Sequence, residues 1–142
     1  MQCSRRGCDI SEYTIVQVEY NDPECIKAAL KELGYTYEDH KTEQNLHGYH
    51  GDMRQQTASI IVRRRHVGAA SNDVGFKRKA NGKYELIISE FDRRGTTGQN
   101  FMEKMKQLYA KHKTLKQLKR MGKTVTSVKT TSDGRIKIKA LG

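Results

Sequence analysis

Residues 100–121 read NFMEKMKQLYAKHKTLKQLKRM, and the fold of the rest of the chain follows from this stretch. Its apolar and ring residues recur every three or four positions, which predicts one buried stripe of an α-helix. Asn100 and Glu103 predict a capping-box-like start, and Gly122 predicts a left-handed cap at the end. The predicted stripe consists of Phe101, Met105, Leu108, His112 and Leu115.

The other faces of this predicted helix are strongly basic. One side must pack against a core while the other sides present seven cations. Four of them, Lys106, Lys113, Lys116 and Arg120, are candidate anion-binding residues. The full set is Lys104, Lys106, Lys111, Lys113, Lys116, Lys119 and Arg120.

The length of 142 residues predicts one domain. We interpret residues 1–11 as a mobile N-terminal arm and residues 12–142 as a single α+β domain. The three cysteines are too few for a disulfide framework and suit a reducing compartment. The sequence has no apolar run long enough to span a membrane. These features predict a cytoplasmic protein without membrane contact.

The net charge of +11 is unevenly distributed along the chain. Residues 1–60 hold six Lys/Arg and ten Asp/Glu, a net charge of −4. Residues 61–142 hold 21 Lys/Arg and six Asp/Glu, a net charge of +15. Such asymmetry predicts a polyanionic partner, either nucleic acid, an acidic protein face or an anionic surface.

The order of predicted elements defines the fold class. Strands joined by tight turns indicate an antiparallel sheet, here of about five to seven strands, with two amphipathic helices on one face. We therefore predict an α+β fold of the TATA-binding-protein-like or helix-grip class. The predicted elements are a strand at 12–20, a helix from Asp22-Pro23 to Gly34, a strand at 35–40, a loop at 41–56 with a short extended piece near 46–49, a strand at 57–65, a hairpin of 74–79 and 83–91 around Asn81-Gly82, a loop at 92–99, the long helix, and a hairpin of 123–130 and 135–141 around Ser132-Asp133-Gly134.

The last predicted strand alternates apolar and basic residues. Arg135, Lys137 and Lys139 share one face at about 7 Å intervals, close to the phosphate spacing of an extended nucleic-acid strand. The alternative is a solvated strand whose lysines deter edge pairing. Both interpretations place the three cations on the surface.

Two further basic clusters flank a predicted turn. Arg63, Arg64 and Arg65 end one strand, and Lys77, Arg78 and Lys79 lie in the next. A hairpin would make these six cations neighbours, which favours an anion site; the alternative is a solvated surface. Arg93 and Arg94 open a Gly- and Thr-rich loop at 93–98 that leads into the long helix, either as an anion cradle or as a flexible loop with a helix cap.

The titratable residues outside these clusters give weaker signals. Cys3, Cys8, His47 and His50 have spacings that zinc sites tolerate, but the usual Cys-x2-Cys is absent, and we predict no metal or other cofactor. No catalytic set is predicted, because Arg93 and Arg94 make ion pairing the simpler role for Glu85, Glu90 and Asp92. His112 fits a hydrogen-bonded core residue. Alternatively, a pocket forms around Tyr49, His50, Tyr109 and His112.

Several segments, in order, resemble the hypothetical chloroplast reading frame thirty-five family of cyanobacteria, red-algal plastids, other bacteria and some phages. The resemblance covers most of the chain after residue 12, and departs from the family at residues 1–4 and 89–92. It implies a compact α+β domain without an established activity, in the cytoplasm, the plastid stroma or a phage-infected bacterium. The matching segments are Ile26 to Tyr35, His47 to Gly51, Asn72 to Phe76, Asn81 to Leu86, Tyr109 to Lys113, and Ser132 to Ile136.

Three functions are consistent with this sequence. The first is a basic, non-enzymatic module that binds RNA or DNA backbone with low sequence specificity. The second is an assembly or adaptor subunit that docks an acidic protein, such as an ATPase or a ribonucleoprotein component. The third is a small-ligand or nucleotide-binding protein.

Overall fold

The computed structural model describes residues 13–67, 71–132 and 135–141. The predicted arm at 1–11 lies outside these residues, as do Cys3 and Cys8. The elements are β1 (Tyr13–Tyr20), α1 (Pro23–Glu32), β2 (Glu38–His47), β3 (Met53–Val62), α2 (Arg64–Val67), β4 (Val74–Arg78), β5 (Tyr84–Ser89), α3 (Glu90–Arg94), α4 (Thr96–Arg120), β6 (Thr124–Thr130) and β7 (Ile136–Leu141).

The strands form two separate antiparallel sheets, and the α+β class is confirmed. The main sheet has five strands in the order β1-β5-β4-β3-β2. The last hairpin, β6–β7, does not extend this sheet but forms a ribbon of its own. The prediction placed about five to seven strands in one sheet, whereas the structure has five in the main sheet and two in the ribbon.

The two long helices pack on one face of the main sheet, as predicted. Their apolar stripes meet alternate residues of the strands, so that Phe76 of β4 and Leu86 of β5 lie opposite each other beneath the helices. Tyr20 lies edge-on to Phe76 and to Tyr109 of α4, at ring-centroid distances of 5.4 and 4.7 Å. Each large apolar side chain buried here contributes about 1.5–3 kcal/mol to folding.

The caps of α1 match the sequence prediction. The Asp22 carboxylate accepts hydrogen bonds from the backbone N–H groups of Glu24 and Cys25, and Pro23 occupies the first turn. Gly34 follows the helix with a φ of +86°, a conformation that favours glycine. Local sequence alone determines both ends of this helix.

The start of α4 differs from the prediction. The helix begins at Thr96, directly after Gly95, so Asn100 and Glu103 lie in its second and third turns and do not cap it. The preceding residues form α3 rather than a loop, because the Ser89 hydroxyl caps that short helix by accepting from the Asp92 N–H. Gly122 has the predicted left-handed conformation at the other end. With 25 residues, α4 is about 37 Å long.

The predicted loop at 41–56 was wrong. Most of it forms β2 and the first half of β3, which pair with an interrupted register. The polar sequence of β2 concealed it, because an edge strand with mainly solvated side chains lacks the apolar alternation of a half-buried strand. The predicted strand at 57–65 ends earlier, at Val62. Arg63 lies between this strand and α2, and Arg64 and Arg65 are the first two residues of α2.

The other face of the main sheet carries a smaller apolar cluster. Leu46, Ala58, Ile61 and Ile87 are all buried there. Gly75 lies among them, and a Cβ at this position would come within 2.6 Å of the Ala58 Cβ. The missing side chain of Gly75 therefore allows Leu46 and Ala58 to close over the sheet.

The β6–β7 ribbon lies against α4 on the side away from the main core. A groove of about 300 Å³ separates the two, lined mainly by Ala110 and Thr114 of α4 and by Ile136 and Ile138 of β7. At about 100° per residue, Thr114 is on the far side of the helix from the core residue Met105. Thus α4 lies between the main sheet and the ribbon.

Candidate functional site

A buried carboxylate organises one end of the main sheet. Asp73 is 1% exposed, and its Oδ2 accepts hydrogen bonds of 2.7 Å from Arg63 Nη1 and from the His47 backbone N–H. Its Oδ1 accepts a third bond, also 2.7 Å, from the Arg64 backbone N–H. Glu38 pairs with the other nitrogen of the Arg63 fork, Nη2, at 3.0 Å. The Arg63 charge is therefore compensated inside the protein.

The contacts of Arg63 have two electrostatic consequences. The hydrogen bond from the guanidinium lowers the pKa of the Glu38 carboxyl below its ordinary value, although partial burial opposes the shift. Arg63 Nη1 also lies 3.1 Å from His47 Nδ1. Because a guanidinium can only donate, the imidazole Nδ1 is the acceptor in this contact.

A second buried network lies beside the first. The Asp92 Oδ2 accepts bonds from the Ser89 hydroxyl at 2.7 Å and from the Asn72 backbone N–H at 3.0 Å. The Asn72 side-chain oxygen accepts from the Tyr49 backbone N–H at 2.8 Å. Asn72 therefore connects the start of α3 to the turn after β2, and Asp92 contributes to this scaffold rather than to an ion pair with arginine.

These networks border a cleft of about 260 Å³, which we call the sheet-end cleft. Its walls include His47 at the end of β2, Gly51 in the turn that follows, and Asp73. The Arg64 guanidinium lies 5.7 Å from the centroid of the half-exposed Tyr49 ring, within cation–π range. The complete lining is His47, Gly51, Arg63, Arg64, Arg65 and Asp73.

The two predicted arginine and lysine clusters are not neighbours. β3 and β4 pair in the register Val62↔Val74 and Ile60↔Phe76, so Arg63–Arg65 and Lys77–Lys79 lie at opposite ends of this strand pair. Four residues of strand place them about 13 Å apart along the sheet. The prediction overlooked that antiparallel pairing joins the end of one strand to the start of the next. Lys77 also pairs with Glu43 at 3.2 Å, while Arg78 and Lys79 are exposed.

The predicted anion cradle at 93–98 is not a loop. Arg93 and Arg94 lie in α3, and both pair with Glu90, at 2.8 and 3.4 Å. The expected pairing of acids with these arginines therefore holds for Glu90, whereas Asp92 has the buried role described above. Both arginines therefore contact a carboxylate of their own helix.

About half of the cations selected on α4 have partners within the protein. Lys116 pairs with Asp22 at 2.6 Å, and Lys113 donates to the Asn21 side chain at 3.0 Å. Lys106 and Arg120 are exposed and have no ion pair with any described residue. The cations of α4 therefore fall into two groups. Lys113 and Lys116 contact the residues just before α1, and Lys106 and Arg120 are exposed to solvent.

The predicted pocket of Tyr49, His50, Tyr109 and His112 does not form. Tyr49 and His50 lie near Asn72 at one end of the sheet, with their rings tilted by 59° and the ring centroids 4.9 Å apart. Tyr109 contacts Tyr20, which lies opposite Tyr84 at the other end. The Tyr109 hydroxyl accepts from the Asn21 and Asp22 N–H groups, at 2.8 and 3.0 Å.

His112 is half-buried and lies between α4 and α1 rather than in the core. Its Nε2 is 2.8 Å from Glu32 Oε1, and Lys111 pairs with the other oxygen of that carboxylate at 2.8 Å. The Lys111 and His112 contacts lower the pKa of Glu32. His112 therefore helps to join the two helices.

The alternation predicted for the last strand is observed in β7. Ile136, Ile138 and Ala140 are half-buried, and Lys137 and Lys139 are exposed. Arg135 is also exposed, just before the strand. The pairing of β6 with β7 places Lys129 directly opposite Lys137.

Metal binding finds no support among the described residues, where no three His, Cys, Asp or Glu side chains are arranged to hold an ion. In the same residues, no helix is both long enough and apolar enough to cross a membrane.

Sequence reasoning did not select Asn72, Asp73 or Glu32, although they hold the sheet-end cleft and the helix pair together. Polar residues that act through long-range hydrogen bonds leave no periodic pattern. The available signal was the segment Asn72 to Phe76, which carries part of the family resemblance and here contacts the segment His47 to Gly51.

The described fold and surface define a basic α+β protein with an antiparallel sheet, two covering helices and a separate cationic ribbon. The chain belongs to the family described as "Protein of unknown function (DUF1257)", whose sequence profile matches residues 29–139. No curated protein and no solved structure matches the chain.

Proposed function

We propose that this protein is a non-enzymatic module that binds the phosphate backbone of RNA or DNA with low sequence specificity. The contact surface is the outer face of the β6–β7 ribbon, extended by the exposed cations of α4. Lys129, Lys137 and Lys139 define what we call the ribbon cation surface.

The direct opposition of Lys129 and Lys137 supports this proposal most strongly. Like charges directly opposite each other destabilise an antiparallel pair. Lys139 follows on the same face about 7 Å along the strand, and none of the three has an ion pair with a described residue. Bound phosphates would offset this repulsion. The phosphate spacing along an extended nucleic-acid strand is close to the spacing of about 7 Å between alternate residues along β7.

The charge distribution supports the same surface. Residues 101–142 contain twelve Lys/Arg and only two Asp/Glu, a net charge of +10 out of +11 for the whole chain. Lys111 and Lys116 are compensated by acids of the α1 region. Within residues 101–142, the exposed cations that have no ion pair with a described residue are Lys104, Lys106, Lys119, Arg120, Lys129, Lys137 and Lys139.

Fluorescence anisotropy with labelled single-stranded RNA and duplex DNA, from about 50 to 200 mM salt, tests the proposal. We expect affinity to fall steeply with salt, because each phosphate contact releases counterions. The variant K129Q/K137Q/K139Q should bind more weakly, with a log–log salt slope reduced by about 3. Its matched control, K41Q/R78Q/K79Q, removes the same charge from exposed positions outside the ribbon. Equal losses in both variants, or no binding at low salt, would contradict the proposal.

The groove between α4 and β7 supports a second candidate function, that of an assembly subunit docking an acidic protein. Ala110 is exposed there, Ile136 and Ile138 are only half-buried, and Val128 and Leu141 of the ribbon are 42% and 68% exposed. In the described residues, each ribbon strand also has one unpaired edge. A stoichiometric protein complex that survives nuclease treatment, seen by size exclusion with light scattering, favours this candidate; loss of the complex with nuclease counts against it.

Two more specific predictions concern the family and the fold class of the protein. The specific link to the chloroplast reading frame thirty-five family is a proposal that the matching segments support. The TATA-binding-protein-like or helix-grip class likewise remains a prediction, supported by two helices packed on one face of an antiparallel sheet.

A further inference from the structure

We propose that the sheet-end cleft binds a phosphate group carried on a small molecule, with Arg64 and Arg65 as the contacting side chains. This inference does not depend on the ribbon cation surface. It assigns a class of ligand to a different part of the molecule, the cleft at the end of the main sheet.

Charge compensation distinguishes these two arginines from the one before them. Arg63 is paired with Asp73 and Glu38. Both oxygens of Asp73 are already occupied by three hydrogen bonds, so this carboxylate is committed to its present partners. Arg64 and Arg65 have no ion pair with any described residue. The lining of the cleft therefore includes two arginines without an ion pair to a described residue, and a bound anion would offset their positive charge.

The protein holds Arg64 in place before any ligand binds. Its backbone N–H is fixed by Asp73 at 2.7 Å, and its guanidinium lies over the Tyr49 ring at 5.7 Å. Tyr49 is itself fixed, since its backbone N–H donates to Asn72 at 2.8 Å. Less side-chain entropy is lost on binding when the donor is already oriented.

The size and chemistry of the cleft select the ligand. Its volume of about 260 Å³ corresponds to about nine water molecules at about 30 Å³ each, enough for a phosphate group and some of its hydration. Gly51 forms part of the wall without a side chain that would fill it. Two arginine forks match the several oxygens of a phosphate dianion better than the two oxygens of one carboxylate.

The first experiment titrates the full chain, at constant ionic strength, with inorganic phosphate and separately with adenosine monophosphate, using two-dimensional amide NMR. We expect saturable shifts confined to residues 47–51 and 63–66 with at least one of these probes. Equal affinity for both identifies the phosphate group alone as the ligand; tighter binding of the nucleotide identifies a nucleoside phosphate. No shift at about 10 mM, which would saturate a site with a Kd of about 1 mM, overturns the proposal.

The second experiment repeats the titration with R64Q, R65Q and the matched control R78Q. Arg78 is an exposed arginine at the opposite end of β4. Loss of a charge-assisted contact should raise Kd about tenfold or more in R64Q and R65Q and leave R78Q unchanged. The amide spectra without ligand verify that each variant is folded. Equal weakening in all three variants, or unchanged binding in R64Q and R65Q, overturns the proposal. K129Q/K137Q/K139Q should bind phosphate normally, whether or not the ribbon contacts nucleic acid.

Discussion

Arg63 Nη1 and Asp73 Oδ2 lie 2.7 Å apart, and this ion pair joins the end of β3 to the start of β4. The carboxylate is 1% exposed, and the arginine side chain is 17% exposed. The pair therefore stabilises the structure next to the cleft. Arg64 and Arg65 differ from Arg63 because neither has an ion pair with a described residue.

Removing the charge of Asp73 should strongly destabilise the fold. D73N leaves the partly buried Arg63 without its closest partner, and breaking one side of a buried pair costs about 3–5 kcal/mol. Urea unfolding followed by circular dichroism measures the change. The control E24Q removes a 72% exposed carboxylate whose partner, Lys27, keeps a second ion pair with Asp39, and should cost at most about 1 kcal/mol. Similar stabilities for the two variants would contradict the role of Asp73.

The Tyr109 hydroxyl should contribute to stability through the chain before α1. Y109F leaves the Asn21 and Asp22 N–H groups without their acceptor, at a cost of about 1–3 kcal/mol. The control Y35F keeps the edge-on ring contact with Phe101 and should change the free energy of unfolding by less than about 0.5 kcal/mol. Thermal melts of both variants decide the matter: a Y109F protein as stable as Y35F would disprove the anchoring role.

Gly75 should not tolerate even one methyl group. In G75A the new Cβ comes within 2.6 Å of the Ala58 Cβ and 3.0 Å of Leu46, and such overpacking costs about 1–3 kcal/mol. The control G95A places a Cβ no closer than 3.6 Å to its neighbours and should be nearly neutral. Denaturant midpoints compare the two, and a stable G75A would show that the second face of the sheet is loosely packed.

Acid should weaken the attachment of α4 to α1. Hydrogen bonds from Lys111 and His112 lower the pKa of Glu32 in the folded state, with partial burial opposing the shift. A carboxyl with a depressed folded pKa stabilises the protein above its unfolded pKa of about 4.5, and this contribution is lost as the pH falls through the folded pKa. E32Q should therefore flatten the decline of melting temperature between about pH 5 and pH 3. E103Q, at an exposed site on α4, should follow the unmodified protein; an E32Q protein with the same acid profile would rule out this linkage.

The predictable parts of the fold are those with local signals. Asp22 and Gly34 mark the ends of α1, and the alternation of Ile136 to Lys139 marks β7. The hairpin around Asn81-Gly82 was also found, although only Gly82 has a positive φ there. Each of these features depends on a few adjacent residues, so no tertiary information was needed.

The missed parts depend on contacts between distant segments. β2 is held by pairing with β3 rather than by its own polar sequence. α3 begins at Glu90 because the hydroxyl of the capping residue Ser89 forms a buried network with Asp92 and Asn72. For the candidate site, the sequence identified which residues are cationic. It did not reveal that Arg63 is compensated by Asp73, since that depends on strand register.

The position of α4 between two sheets has a consequence for local unfolding. Among the residues that the structure describes, the two ribbon strands pair only with each other. The ribbon rests on one side of the helix, whereas the core packs on the other side. A two-stranded hairpin is marginally stable by itself, so its amide hydrogens should exchange through local openings that leave the main sheet intact. Ligand contact with the ribbon would then slow hydrogen exchange at β6 and β7 while the rates in β4 and β5 stay constant. Exchange kinetics can thus map the binding surface even before any partner has been identified.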